Sequence, residues 1–352
     1  MTHRRWHLVG IGAAVASMVA LAGCSATAEG GDPSADSASG IVSLVDADAK
    51  QDIDTLLTEL GEPDNGKGVK LCYVTRTLYE YWAFVKDGFE ARAAELGAEF
   101  QTFDITDEAA ITEQLDKAKS AVDNQGCDAL LASPISATSL DSVFEPAIAK
   151  GIPAIILNDA KGTLPGTVYS GPDSLITGET AADYIAGLLP DGGEVAMVEG
   201  DPGSSNAINR GQGFKNGLEK HPNLELVASQ TAKWDATKAK EIATAMLTAN
   251  PDIKAFYVQN DGMAFGVAAA IEQADKTGEI ILVGTDGIPQ AKKEIMDGNM
   301  TATVSQKPMV EGSAGVDAAL WLLAGKEVPG WIEVPAFIID KENVDDYAEG
   351  MP

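Results

Sequence analysis

The chain has 352 residues, in which 53 Asp and Glu stand against 25 Lys and Arg, a formal net charge of −28. That balance excludes a nucleic-acid partner, because binding phosphates needs cationic surface to replace their counterions. Three histidines, with His3 and His7 at the extreme N-terminus and only His221 in the body, exclude a His-based zinc site or a Ser/His/Asp triad. No metal, cofactor or catalytic residue is expected.

In chain order, Arg4 and Arg5 precede an uncharged apolar run, Leu8 to Ala20. A membrane-spanning helix needs about 20 such residues, so this shorter run reads as the core of an export signal. It ends in Leu21-Ala22-Gly23-Cys24, which resembles the lipobox of bacterial lipoproteins. The resemblance implies a signal peptide over residues 1–23, a lipidated Cys24, and a chain anchored to the outer face of the cytoplasmic membrane. Loss of Arg4 and Arg5 with the leader lowers the net charge from −28 to about −30. Residues 24–40 are rich in Ser, Ala, Gly and Asp and lack large apolar side chains, so they predict a flexible tether. Residues 41–68 read as an extension carrying an amphipathic helix from Ala47 to Leu60, whose role the sequence does not show.

From Val69 onward, short apolar runs alternate with stretches of helical periodicity. The first half predicts strands over Val69–Val74, Glu99–Phe103, Asp128–Ala132 and Pro153–Leu157. Its helices are predicted over Tyr81–Leu96, from a cap at Asp107 to Gly126, and over Leu140–Ala149. The second half predicts helices Ser174–Leu189, Ser204–Lys220, Ala236–Ala249 and Met263–Ala274. Strands Glu194–Val198, Glu225–Ser229, Lys254–Val258 and Ile280–Val283 alternate with them. Thr301–Val304, a helix Pro308–Leu323 and a strand Glu333–Ile339 complete the chain. Strands separated by helices imply parallel sheets covered on both faces, and two such runs imply two doubly wound α/β lobes. Cys72 and Cys127 lie at or near neighbouring strands; a disulfide and two buried thiols both fit that placement.

In open α/β sheets a ligand sits beyond the carboxyl ends of the strands. Arg76 follows the first strand, with Tyr81 and Trp82 at the start of the next helix. Asn158-Asp159, Asn260, Asp286 and Gln306 each follow a later strand, and Arg210 and Trp234 fall on the same side. Asp, Asn, Gln and Arg bracket hydroxyls that both donate and accept, while flat rings suit the C–H faces of a sugar or polyol. Taken singly, Asn and Asp after strands are common turn formers, and Tyr81 and Trp82 fit a helix core.

Lys86-Asp87-Gly88-Phe89, Asn209-Arg210-Gly211-Gln212-Gly213-Phe214, Gln259-Asn260-Asp261-Gly262-Met263-Ala264 and Val283-Gly284-Thr285-Asp286-Gly287, followed by Thr301 to Gln306, occur in this order. Over Val69 to about Ile339 the chain resembles the periplasmic sugar-binding proteins of the ribose/galactose type. The resemblance implies the type I periplasmic binding protein fold, two lobes joined by a three-segment hinge. It places residues 69–173 and 307–335 in an N-terminal lobe and residues 174–306 and 336–352 in a C-terminal lobe. It also implies that Arg76, Tyr81, Trp82, Asn158, Asp159, Arg210, Trp234, Asn260, Asp286 and Gln306 bind the ligand. Asp159 and Tyr79 depart from the ribose pattern, which has Arg and Asn there, so no particular sugar follows.

The function expected is that of a monomeric solute-binding lipoprotein, not an enzyme. It would close on a sugar or polyol and deliver it to the permease subunits of an ABC importer. A nucleoside-binding lipoprotein and a ligand-presenting sensor subunit are the alternatives within binding proteins. A secreted glycoside hydrolase, which needs two carboxylates flanking one bond, is the alternative from another class.

Overall fold

The computed structural model describes residues 40–78, 81–107, 109–158 and 164–347. The leader, Cys24, the tether up to residue 39, Tyr79 and Asp159 lie outside them. The first half runs β1 (Val45–Asp52), α1 (Ile53–Leu60), β2 (Lys70–Val74), α2 (Tyr81–Glu95), β3 (Glu99–Phe103), α3 (Ile111–Asn124), β4 (Ala129–Ala132), α4 (Asp141–Ala149), β5 (Ala154–Leu157) and β6 (Thr167–Gly171). The second half runs α5 (Ser174–Leu188), β7 (Gly193–Glu199), α6 (Ser205–Lys220), β8 (Leu224–Thr231), α7 (Ala236–Ala249), β9 (Ile253–Val258), α8 (Asp261–Gln273), β10 (Ile281–Asp286), α9 (Pro289–Asp297) and β11 (Ala302–Ser305). The chain then returns through α10 (Pro308–Leu323) and β12 (Val328–Glu333) and ends with β13 (Phe337–Asp340) and a 3-10 turn.

Seven strands form one sheet in the order β1-β12-β6-β5-β4-β2-β3, and six form another in the order β13-β11-β10-β9-β7-β8. All pairings are parallel except β11 with β13. The central runs Ala129-Leu130-Leu131-Ala132 and Ala154-Ile155-Ile156-Leu157 are buried at every residue. Only a strand covered on both faces can use such an unbroken apolar sequence. The chain passes between the sheets at residues 171–174, 306–308 and 334–336.

Three local expectations are corrected. Residues 45–52 do not continue the helix expected from Ala47; they form β1, paired in parallel with β12. Tertiary pairing along an open sheet edge outweighs the weak helix propensity of this Asp/Ala stretch. The helix starts at Ile53, where the Asp52 side chain accepts from Thr55 N. The strand expected over Glu333–Ile339 is two strands in different sheets, because Pro335, which lacks an N–H, stands where the chain leaves one sheet for the other. Asp107 does not cap α3. Its Oδ1 accepts from Ala109 N at 2.8 Å in a tight turn, and the helix begins only at Ile111.

β1 also reaches the crossings. Lys50 Nζ lies 2.9 Å from Asp173 at the first crossing and 2.8 Å from Glu333 at the end of β12, above the Trp331 ring at 4.3 Å. Both carboxylates raise the Lys50 pKa even though burial, the largest single influence, opposes them. The group is one-third exposed, so the pair is worth at most about 1 kcal/mol and is screened by salt. Lys50→Met is therefore expected to lower the melting midpoint by about 1–2 °C at low salt. Thermal scans in 20 mM and 500 mM salt check this; a loss of equal size in both would reject an ionic origin.

Three pairs of helices touch backbone to backbone, α7 with α8 at Gly266 and two others that bear on the site. A Cβ at Gly88 of α2 would stand 2.0 Å from Met309 O of α10, and one at Gly213 of α6 would stand 2.0 Å from Leu175 O of α5. Glycine lets each pair close fully. The first contact sets Tyr81 against α10, and the second seats the helix that carries Arg210. Among the described residues no helix is long and apolar enough to cross a membrane.

Candidate functional site

Between the carboxyl ends of the two sets of strands lies a cavity of about 350 Å³. Arg76, Tyr81, Trp82 and Asn158 line it from the first sheet's side. Arg210, Trp234, Asn260 and Asp286 line it from the second. Thr77, Thr106, Asp107, Ser204 and Asn206 complete the wall. Gln306 is fully buried and stands behind the wall, and Asp159 lies outside the described residues.

The basic and acidic groups of the second lobe are held by one another. Arg210 donates from Nη1 to Gln259 O at 2.6 Å and from Nη2 to Gln306 Oε1 at 2.8 Å. Gln306 Nε2 donates to Asp286 Oδ1 at 2.8 Å, so the carboxamide links guanidinium and carboxylate, which are 4.0 Å apart. Arg210 Nε is buried and has no acceptor among the described residues. Asp261 fixes the turn after β10: its Oδ2 accepts from Gly287 N at 2.8 Å and Ile288 N at 3.2 Å, and its Oδ1 accepts from Thr303 Oγ1 at 2.8 Å. Burial, and then the neighbouring Asp286 carboxylate, push the Asp261 pKa well above the usual carboxylate range. Asn260 caps α8 through Oδ1, which accepts from Met263 N at 2.9 Å, so its amide nitrogen is the group able to face the cavity.

The backbone at the wall is unusual. Asn158, Trp234 and Asp286 have φ of 56°, 65° and 129°, in a region that favours glycine. Each such residue costs of order 1–3 kcal/mol and persists only where its surroundings hold it. At Trp234 the seat is Gly200, where a Cβ would stand 2.1 Å from the indole.

On the opposite side Tyr81 packs edge-on to Trp82 with centroids 5.3 Å apart, and the Arg76 guanidinium lies 5.5 Å from the Trp82 ring. Tyr81 OH donates to Glu311 Oε1. Asn158 Nδ2 donates to Tyr81 OH and to Glu311 Oε1, both at 2.8 Å. Asn158 Oδ1 accepts from Asn206 Nδ2 at 2.5 Å, a direct bond between the two lobes, and Ser174 Oγ donates to Asn206 Oδ1 at 2.8 Å. Sequence reasoning missed Glu311 and Asn206. Asn206 had a signal, since it stands next to a helix cap that faces the ligand side; Glu311 had none, because its neighbours come from other elements.

The arrangement can wrap a small neutral polar molecule, with rings on the α2 and α7 sides and forked polar groups on α6, α8 and β10. Comparison with known proteins agrees. The periplasmic binding protein domain family matches residues 73–327. The D-allose-binding periplasmic protein of Escherichia coli is 36% identical over 263 residues, covering 71% of this chain and 83% of its own length. Among solved structures, an ABC transporter periplasmic solute-binding protein from Actinobacillus succinogenes with bound D-allose superimposes with a TM-score of 0.75 at 27% identity, covering 79% of this chain and 100% of that one. An ABC transporter solute-binding protein from Bacillus halodurans with bound myo-inositol does so with a TM-score of 0.73 at 25% identity, covering 80% and 98%. These relatives are solute-binding proteins and not enzymes. The length of the family match, together with two parallel sheets and a cavity between them, shows that this chain belongs to the periplasmic binding protein domain family.

Proposed function

We propose that the chain is the solute-binding lipoprotein of an ABC importer, anchored through Cys24, which captures a sugar or polyol in this cavity as a monomer and hands it to the permease. Hinge closure brings the lobes together, and the closed form docks. The observation that carries the reading is Arg210: it lines the cavity beside Asp286 and Asn260, and Gln259 and Gln306 hold its guanidinium in place. Asp286 beside it accepts, the Asn260 amide donates, and the rings of Trp82 and Trp234 suit C–H faces. Relatives that bind an aldose and an inositol support the same class.

A thermal-shift screen of the fragment from Ser25 onward, against aldoses, polyols, inositols and nucleosides, tests this. A ligand at a hundredfold excess over its dissociation constant should add about 2.7 kcal/mol of stability. A shift with nucleosides alone would replace the carbohydrate reading.

A further inference from the structure

We infer that Glu311 is a specificity-determining positioning residue: it withdraws the Tyr81 hydroxyl and the Asn158 amide from the cavity, so that the patch of wall these two residues form offers the ligand no hydrogen-bond donor. The inference rests on the sugar or polyol reading and says which kind of face such a ligand turns to that patch.

A phenol has one proton, and that of Tyr81 goes to Glu311 Oε1. A carboxamide has two N–H groups, and those of Asn158 go to Tyr81 OH and to Glu311 Oε1. The Asn158 carbonyl already accepts from Asn206 across the cleft. Tyr81 and Asn158 both line the cavity, yet every donor they own is spent inside the protein. What these two residues leave for the ligand is the face of a ring and part of one amide oxygen, while donors on the same side come from Arg76, Thr77 and Thr106 around them.

The hub is built into the fold. Glu311 is fully buried in the first turn of α10, directly after the crossing at 306–308, and its own carbonyl accepts from Ser170 Oγ at 3.0 Å. The glycine contact between α2 and α10 brings Tyr81 to it. Glu311 Oε2 is buried without a partner among the described residues. Burial pushes the Glu311 pKa well above the usual range, against the bonds from Tyr81 and Asn158, which favour the charged form.

The consequence is a division of labour. Hydroxyl recognition falls to Arg210, Asn260 and Asp286, whereas the flank at Tyr81 and Asn158 receives a C–H edge, a methyl group or a carbon lacking its hydroxyl. A site that hydrogen-bonds a hydroxyl rejects the analogue lacking it strongly, and an apolar wall does not.

The test measures dissociation constants by calorimetry for D-allose, D-ribose, xylitol and myo-inositol, and then for each monodeoxy analogue of the best binder. Wild type should tolerate removal of one hydroxyl with less than about a threefold loss, and the other removals should each cost about tenfold or more. Glu311→Gln, whose amide oxygen can accept both bonds, should keep that profile. Glu311→Leu frees the Tyr81 hydroxyl and one Asn158 N–H, and the tolerated position should become as costly as the rest. Tyr81→Phe covers the case in which Glu311→Leu fails to fold: it releases the Asn158 N–H that the Tyr81 hydroxyl accepts, so the tolerated position should again become more costly, by about threefold or more. One selectivity profile shared by wild type and the folded variants Glu311→Leu and Tyr81→Phe overturns the inference. Binding of no panel member by wild type overturns the carbohydrate reading itself, and the inference with it.

Discussion

Replacing Asp286 or Arg210 by Ala is expected to weaken ligand capture by at least about a hundredfold while the protein stays folded. Each residue is at most 5% exposed and lines the cavity, so a ligand bond made there is shielded from water. A charge-assisted bond contributes about 1.5–3 kcal/mol, and removing one member of the buried set leaves the other without its counter-charge. Loss of Asp286 also frees Gln306, whose Nε2 is held by Asp286 Oδ1 and whose Oε1 orients Arg210. The two substitutions are therefore coupled, and the double variant should bind no more weakly than about tenfold below the worse single one. The fold survives because Arg210 keeps Gln259 O as an acceptor and because α6 is seated by its glycine contact with α5, away from the guanidinium. Calorimetric titration with the ligand found by screening, alongside circular dichroism, checks the expectation. Two folded variants that bind within threefold of wild type would remove both residues from the site.

Why these residues could be read from the sequence, and Glu311 could not, has a physical cause. Arg76, Asn158 and Asn260 each stand just past the end of a strand and Asp286 closes one, and a parallel sheet collects the ends of its strands at one edge whatever their separation along the chain. Alternation of short apolar runs with helical periods thus reveals the two sheets and the cavity wall together. Glu311 lies within the first turn of a helix, where an acid is ordinary, and only the approach of α10 to α2 and β5 makes it a hub. For the same reason the sequence shows where Asn158 and Gln306 stand but not the groups that consume their hydrogen bonds.

The local misreadings divide in the same way. β1 is hard to read because its alternation, Val45, Ala47 and Ala49 against Asp46, Asp48 and Lys50, rests on small and mostly exposed alanines; the free edge of β12 makes it a strand. By contrast α9 left a legible signal that the apolar pattern did not use: Pro289 stands at its first turn, and Gly298 ends it with φ of 84°. Proline at the start and glycine past the end mark a helix even when its exposed face is polar. The break between β12 and β13 was equally legible at Pro335, which removes the N–H that a continuous strand would need.

Removal of the Cys72–Cys127 disulfide, which the sequence left open beside a pair of buried thiols, is expected to cost about 4 kcal/mol through the loop it closes. The bond links residues 55 apart in sequence, with Cα atoms 5.8 Å from each other, and joins β2 to the segment entering β4. Those strands are already paired, Cys72 standing opposite Leu130, so the cross-link adds little to the folded state. Its effect falls on the unfolded chain, which loses the freedom of a long loop. Both cysteines are nearly or fully buried, so Cys72→Ala with Cys127→Ala also leaves small voids that add to the loss. Urea unfolding of the double variant should therefore show a lower midpoint than the oxidised wild type, and wild type unfolded with excess reductant should match it closely. The first lobe should carry the whole effect. The cavity lies beyond the carboxyl ends of β2 and β4, whereas Cys127 precedes β4, so ligand affinity should stay within about twofold of wild type while stability falls. Equal midpoints for oxidised and reduced protein would show that strand pairing alone sets the unfolding transition. A fall in affinity together with stability would instead mean that the strain-bearing residues at the cavity wall depend on the cross-link to hold their backbone.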